Sequence, residues 1–346
     1  MTEAQHSGVH NDNDNNNGTG GDGGRILGDQ AFRSPQLAGR DMEMTYGGAV
    51  SFLRRNYTRD LDEADLVVSG IPFDMATSNR PGARFGPRAV RAASVGLAEL
   101  DAYPWGFDPF DTLKVADYGD CFIDYGYPDE AAARIEAHAD EIINSGTMML
   151  SLGGDHYVTY PLLKAHARKF GPLALIHFDA HCDTWEDDGT RLDHGSMFLR
   201  ALREGIIDPA RSVQIGLRTY NADEHGFTIL GAPWVHREGI PAVIDVIREV
   251  VGTEDPAYLT FDIDCLDPAF APGTGTPVSG GLSTAQALEA IRAMGEFNIV
   301  GMDVVEVAPM YDISEITALA AATIAHDFIC VQAVKAGAVP KPYGRP

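Results

Sequence analysis

From about residue 41 onward, short unbroken apolar runs alternate with longer stretches in which apolar positions recur at helical spacing. The runs at 66–71, 147–152, 173–176, 213–217, 257–260 and 299–305 are rich in Val, Ile, Leu and Met and do not alternate with polar residues. That is the pattern of strands buried on both faces. Helical periodicity covers 131–145, 160–169, 196–204, 240–251 and 283–297. A last helix is predicted to begin near Asp312, with Glu315 placed for a capping box, and to run through 322. Strands and helices taken in turn give a parallel sheet with helices on both faces. The expected fold is therefore α/β: a single three-layer α/β/α domain over 41–346, with a central, mainly parallel β-sheet. Neither an internal repeat nor an interdomain linker interrupts it.

Residues 1–40 break the pattern. The stretch His10-Asn11-Asp12-Asn13-Asp14-Asn15-Asn16-Asn17-Gly18 cannot bury a core, and the segment is expected to be a disordered Asn/Gly/Asp-rich tail. The N-terminus shows no basic start followed by an apolar stretch, and no apolar run is read as membrane-spanning. The four cysteines, Cys121, Cys182, Cys265 and Cys330, form no CxxC pair, which argues against a zinc knuckle, a redox motif or a disulfide framework. A cytoplasmic location is the expectation that follows. The net charge of −24 disfavours a nucleic-acid partner and favours cations, whether metals or substrates.

Chemistry gathers where three of the apolar runs end. Asp155 and His156 follow the first of the three, the histidine being its candidate ligand. Asp179, His181 and Asp183 follow the second, spaced so that Phe178, Ala180 and Cys182 point the other way. Asp262 and Asp264 follow the third. Parallel sheets bind ligands beyond the carboxyl ends of their strands, so these distant segments can share one cleft. Crowded carboxylates at buried strand ends would repel one another and lose solvation, and cations remove that cost. Six candidate ligands exceed one tetrahedral site and suit two cations sharing bridging carboxylates. The Gly/Pro-rich stretch 267–277 is too irregular for a helix or strand and reads as a wall of the site.

The motifs Ser-Leu-Gly-Gly-Asp-His (151–156), His-Phe-Asp-Ala-His-Cys-Asp-Thr (177–184), His-Gly-Ser-Met-Phe (194–198), the 260–277 segment and Gly-Met-Asp-Val-Val-Glu-Val-Ala-Pro (301–309) resemble the ureohydrolase family of arginases and agmatinases. The resemblance covers roughly 45–336. Gly-Ile-Pro-Phe-Asp-Met-Ala-Thr-Ser (70–78), followed by Gly82-Ala83-Arg84-Phe85-Gly86-Pro87, is nearer the agmatinase branch. The resemblance implies a binuclear manganese site, a ligand set that nickel or cobalt would also suit. It implies a first metal on His156, Asp179, Asp183 and Asp262, and a second on Asp179, His181, Asp262 and Asp264, with Asp179 and Asp262 bridging. It further implies a homo-oligomer, trimeric or hexameric.

A guanidinium carbon is a poor electrophile, so its hydrolysis needs a strong nucleophile at neutral pH. Water shared by two cations loses its proton near neutrality. His194 is the candidate proton shuttle, because histidine titrates close to neutral pH. Glu306 is the candidate that holds the guanidinium by charge-assisted hydrogen bonds. Asp183 joins these two in the catalytic set. Trp185 is expected to form an apolar or cation–π wall for the substrate. Asp155 is expected to orient a metal ligand, and Cys182 and Cys265 to pack away from the site.

The loop 185–193 is acidic, with Arg191 its one base, so a substrate with a cationic tail fits better than one with a carboxylate. Cleavage of agmatine to urea and putrescine is the expected reaction. Other guanidino compounds are the alternatives: guanidinobutyrate, guanidinopropionate, or an N-alkylated guanidine or biguanide such as metformin. Two readings of other kinds are a one-zinc deacetylase on the same fold and a non-catalytic partner subunit of a heteromer.

Overall fold

Apolar runs become strands, and their neighbours in the sheet explain why they carry no polar alternation. The computed structural model describes residues 44–62, 64–98 and 101–341; the expected tail at 1–40 lies outside them. The strands are β1 (Leu66–Gly70), β2 (Val115–Asp120), β3 (Met148–Leu152), β4 (Ala174–Phe178), β5 (Val213–Ile215), β6 (Thr228–Leu230), β7 (Ala257–Asp262) and β8 (Ile299–Val305). They form one sheet in the order β2-β1-β3-β8-β7-β4-β5-β6. Every adjacent pair is parallel, so the sheet is wholly rather than mainly parallel.

Alternate residues serve opposite faces. Leu66, Val68, Leu150, Leu152, Ile176 and Phe178 pack into one apolar cluster, whereas Val67, Met149 and Leu175 pack into another. Helices α1 (Gly86–Ser94), α5 (Ala232–Glu238), α6 (Ile240–Val250), α7 (Thr284–Arg292) and α8 (Ile316–Lys335) bury residues in the first cluster. Helices α2 (Ala131–Asn144), α3 (Thr159–Phe170) and α4 (Met197–Arg203) cover the second. The three layers follow directly.

Two features differ from the sequence reading. Helix α8 starts at Ile316, four residues later than expected. The Asp312 carboxylate does accept from the backbone N–H of Thr317 and Ala318, both at 3.0 Å. Glu315, however, sits in left-handed backbone at φ 60° and makes no side-chain cap, so the expected box does not form. A complete capping box closes instead at Ser283 and Gln286, ahead of α7. Helix α8 is also long and apolar enough to cross a membrane by length and composition, yet 83% of its apolar window is buried inside the protein. It is the central helix of one outer layer.

Three buried histidines make the fold acid-sensitive. Burial pushes His138, His166 and His326 down from 6.5 to about 4. Arg59 adds to burial at His138, where Glu141 and Asp120 oppose it. Lys169 adds to it at His166, and Asp108 and Arg55 face His326 with opposite effects. Below pH 6.5 the unfolded chain takes up protons that the folded chain refuses down to about pH 4, so stability falls with pH across that window. Each neutral imidazole costs up to ~3 kcal/mol at the acid end. Carboxylates that burial raises, such as Asp262 and Asp264, act in the opposite direction, so this contribution is read by comparing the change in thermal melts from pH 7 to pH 5 between the parent and a variant lacking one of these imidazoles, the loss being greater in the parent. His138→Gln, which can keep the contact with Ser69 Oγ now made by Nε2 at 2.7 Å, should lessen it.

Candidate active site

The four strands at the middle of the sheet, β3, β8, β7 and β4, each deliver groups from their carboxyl ends to one place. This is where the chain, having laid down β3, jumps to the far side for β4 and later fills the gap with β7 and β8. After β3 the chain turns tightly at Gly154. A Cβ there would sit 1.7 Å from the Phe73 carbonyl oxygen, so only glycine lets the 72–78 loop and the His156 turn approach. After β4, Asp179 still donates its N–H to the Ile215 carbonyl. The chain then bends, and Asp183 adopts left-handed backbone at φ 54°. After β8, Glu306 does the same at φ 66°. Both are non-glycine residues in a costly conformation, and such positions cluster where function demands them.

All six expected metal ligands come together. Nδ1 of the fully buried His156 lies 3.0 Å from Asp179 Oδ2, 3.0 Å from Asp183 Oδ2 and 3.2 Å from Asp262 Oδ2. Nδ1 of His181 lies 3.3 Å from Asp179 Oδ1 and 3.2 Å from Asp264 Oδ2. Asp179 thus presents one oxygen to each of two clusters. Asp262 stands with the first, and its Oδ1 accepts from the Asp264 N–H at 2.8 Å.

The donor set fits divalent cations. Nδ1 of His156 is buried without a hydrogen-bond partner. Its Nε2 faces Thr260 Oγ1 at 2.9 Å, and Thr260 donates onward to Asp303 Oδ1 at 2.5 Å. The Thr260 proton is therefore committed to Asp303, Nε2–H of His156 donates to Thr260, and Nδ1 keeps a free lone pair aimed at three carboxylates. Electrostatics agree. Burial, with Asp264 and Asp179 beside it, holds Asp262 well above the usual carboxylate range. Burial would also raise Asp179, but His177, His156 and His181 hold it well below. Burial opposes charge on His181 as well, yet Asp264 and Asp179 push it up to about 12. A protonated His181 here balances negative charge that cations would balance better.

His194 and Glu306 form a second constellation beside the first. Nδ1 of His194 lies 2.8 Å from Glu306 Oε1. Nε2 of His194 accepts from the Ser78 N–H at 3.0 Å and lies 2.8 Å from Ser78 Oγ. Burial opposes protonation of His194, but Glu306 outweighs it and the imidazole rises to about 9. Glu306 Oε1 also accepts from the His156 N–H at 2.8 Å, while its Oε2 is buried with no partner. Gly275 leaves room beside that oxygen; a Cβ there would stand 3.3 Å away.

A cavity of about 350 Å³ opens over the ligand clusters and His194, lined by Ser78, His181, Asp183, Trp185, Glu186, Asp193, His194, Gly195, Ser196, Asp262 and Thr276, with Glu306 buried against His194 rather than lining it. Among the described residues, no Lys or Arg lines it. Trp185 stands edge-on to His181, with ring centroids 6.1 Å apart. Thr276 brings in the 267–277 stretch as a wall, and Asn79 Nδ2 donates to the Gly275 carbonyl at 3.2 Å across the mouth.

Residues 64–330 match the sequence model of the Arginase family. An agmatinase from Chromobacterium violaceum is 61% identical over 308 residues, spanning 88% of this chain and 95% of that protein. The chain belongs to the arginase family. Among solved structures, a hypothetical agmatinase from Burkholderia thailandensis superposes with a TM-score of 0.86 at 60% identity, covering 90% of this chain and 98% of that one. The proclavaminate amidino hydrolase of Streptomyces clavuligerus superposes at 0.80 with 38% identity, covering 84% and 99%.

Within this arginase-family site, two expectations change. Asp155 makes no hydrogen bond to a candidate ligand side chain among the described residues. Its Oδ2 accepts from the Ala76 N–H at 2.8 Å, so it ties down the loop that carries Ser78. In the acidic loop, Asp187 is engaged by Arg200 at 2.5 Å and by Ser196, and Asp188 caps Thr190 and Arg191. Only Glu186 of the 186–188 stretch reaches the cavity, joined there by Asp193. Arg191 is turned onto Asp193 at 2.8 Å.

Sequence reasoning passed over four supporting residues. His177 Nε2 sits 2.7 Å from Asp179 Oδ2, and Gln214 Nε2 donates to His177 Nδ1 at 3.1 Å. Asp303 takes Thr260, Thr159 and Tyr258 hydroxyls at 2.5, 2.9 and 3.0 Å. Ser78 contacts His194. A histidine and an aspartate inside otherwise apolar strands were the visible signs of the first and third.

Proposed function

We propose that the protein hydrolyses agmatine to urea and putrescine at a pair of divalent cations. One observation carries this reading: Asp179 reaches both nitrogen–carboxylate clusters beneath a cavity whose described lining holds carboxylates and imidazoles but no Lys or Arg. The identity to agmatinases over most of the chain supports the same substrate.

His156, Asp179, Asp183 and Asp262 would hold the first cation, and Asp179, His181, Asp262 and Asp264 the second. Bound there, the pair would supply a nucleophile strong enough to attack the guanidinium carbon at neutral pH. The remaining work belongs to side chains. Glu306 holds the guanidinium, its unpartnered Oε2 taking an N–H that no protein group supplies. That contact also places the carbon over the floor of the cavity. Trp185 walls one side and screens the site from water, and its ring face suits a cationic tail. His194, positioned by Glu306, gives up a proton as the carbon–nitrogen bond breaks. Oxygen and imidazole donors suit manganese, and nickel or cobalt share the preference for imidazole. The family resemblance supports a homotrimer or homohexamer, and the four free cysteines suit the cytoplasm.

Urea release measured side by side should rank agmatine above arginine and above guanidinobutyrate. Glu186 and Asp193 are held by Arg203 and Arg191, so a carboxylate tail meets carboxylates with no spare Lys or Arg among the described lining residues, and it loses about tenfold in affinity for every 1.4 kcal/mol of unfavourable interaction. If arginine or guanidinobutyrate is turned over faster, the amine-tail assignment is wrong. If only a small alkylguanidine or biguanide is cleaved, the chemistry stands without the amine tail.

A further inference from the structure

Ser78 approaches His194 in an unusual way. Its backbone N–H donates to Nε2 at 3.0 Å while its own hydroxyl lies 2.8 Å from the same nitrogen. A single lone pair on Nε2 cannot be well served by two donors, and the backbone amide can only donate. The hydroxyl can donate or accept. When His194 carries protons on both nitrogens, Nδ1–H remains on Glu306 Oε1 at 2.8 Å and Nε2–H must find an acceptor. Ser78 Oγ is the acceptor in reach.

Position adds to this. His194 is buried at 8% exposure, whereas Ser78 is exposed at the cavity mouth, on a loop pinned from below by Asp155. In a substrate whose guanidinium is held by Glu306, the leaving nitrogen is the one that bears the tail, and the tail points to the mouth. Ser78 is thus on the side from which the amine departs.

We propose that the Ser78 hydroxyl relays the proton from His194 to the departing amine. This rests on the guanidino-hydrolase reading above. As the carbon–nitrogen bond of the tetrahedral adduct breaks, its electron pair stays on the amine nitrogen, which takes the Ser78 hydroxyl proton, while the adduct's oxygen closes to the carbonyl of urea and its own proton passes to Asp183, which lines the cavity. Ser78 Oγ takes the Nε2 proton of His194 in the same step. His194 is left neutral, with its other proton still shared with Glu306, and Ser78 is regenerated as a hydroxyl. No charge accumulates on the serine.

The test compares the metal-loaded parent enzyme with Ser78→Ala, Ser78→Thr and His194→Ala, assayed by urea release from agmatine. Ser78→Ala keeps the backbone N–H to Nε2 and lies at an exposed position, so folding is unaffected. It should lower kcat on the order of tenfold or more with KM within about twofold. Ser78→Thr should recover most of the loss. The solvent-deuterium proton inventory on kcat should be bowed in the parent, where two protons move together, and linear in Ser78→Ala. A Ser78→Ala enzyme with parental kcat, beside a His194→Ala enzyme that is crippled, would overturn the relay and leave the hydrolase reading intact. Equal losses in Ser78→Ala and Ser78→Thr would also overturn it, by showing that the loop position rather than the hydroxyl matters. A parent that releases no urea from any guanidino compound would overturn both readings.

Discussion

Asp179→Asn should all but abolish turnover, with a loss on the order of 10³-fold or more, and should lower the metal content of the purified protein. The reason is positional. Asp179 alone has one oxygen within 3.0 Å of His156 Nδ1 and the other within 3.3 Å of His181 Nδ1. An amide would offer one oxygen and turn an NH₂ group toward the other cluster, replacing attraction with repulsion. It would also disturb His177, whose Nε2 faces Asp179 Oδ2 at 2.7 Å. Elemental analysis beside a urea assay checks the prediction. A variant that keeps both its metal and its activity would remove Asp179 from its bridging role.

Glu306→Gln should cost roughly 10²–10³-fold in kcat/KM, about 3–4 kcal/mol of transition-state stabilisation. Gln keeps the shape and an acceptor for the His156 N–H, but it removes the charge that holds a guanidinium. It also changes His194. The Glu306 carboxylate is what raises that imidazole to about 9 against the effect of burial, so its loss should move the His194 titration to lower pH. The pH profile of kcat should shift in that direction while metal content stays at the parental level. An unshifted profile would mean that the 2.8 Å contact between the two side chains does not set the protonation of His194.

Much of this was legible before any coordinates, for physical reasons. A parallel sheet buried on both faces leaves continuous apolar runs, so β1, β3, β4, β7 and β8 stood out, and their ends had to face one cleft. Weaker elements did not show. Strand β2 carries Asp117 in its middle, which reads as a loop residue. Arg91 on α1 donates to it twice, at 2.7 and 2.9 Å, and makes it a tolerable core group. Strand β6 is three residues at the sheet edge, too short for a pattern. Helix α1 opens on Gly86 and Pro87, which look like turn residues although proline suits a first helical turn.

The site shows the same division. Ligands placed two residues apart on either side of a strand end announce themselves through alternation. Partners that act through space do not. Ser78 lies 116 residues from His194, and Gln214 lies 37 from His177; neither spacing leaves a periodic trace. The acidic loop was misjudged in detail for a related reason. A sequence shows how many carboxylates a loop carries, but not that Arg200 and Arg203 from α4 engage two of them.

Metal stoichiometry is the most direct test of the central claim. Metal-stripped protein titrated with manganese, followed by calorimetry and by urea release from agmatine on the same samples, should bind two equivalents per chain. Activity should rise with the second. Saturation at one equivalent with full activity would contradict a two-cation site bridged by Asp179.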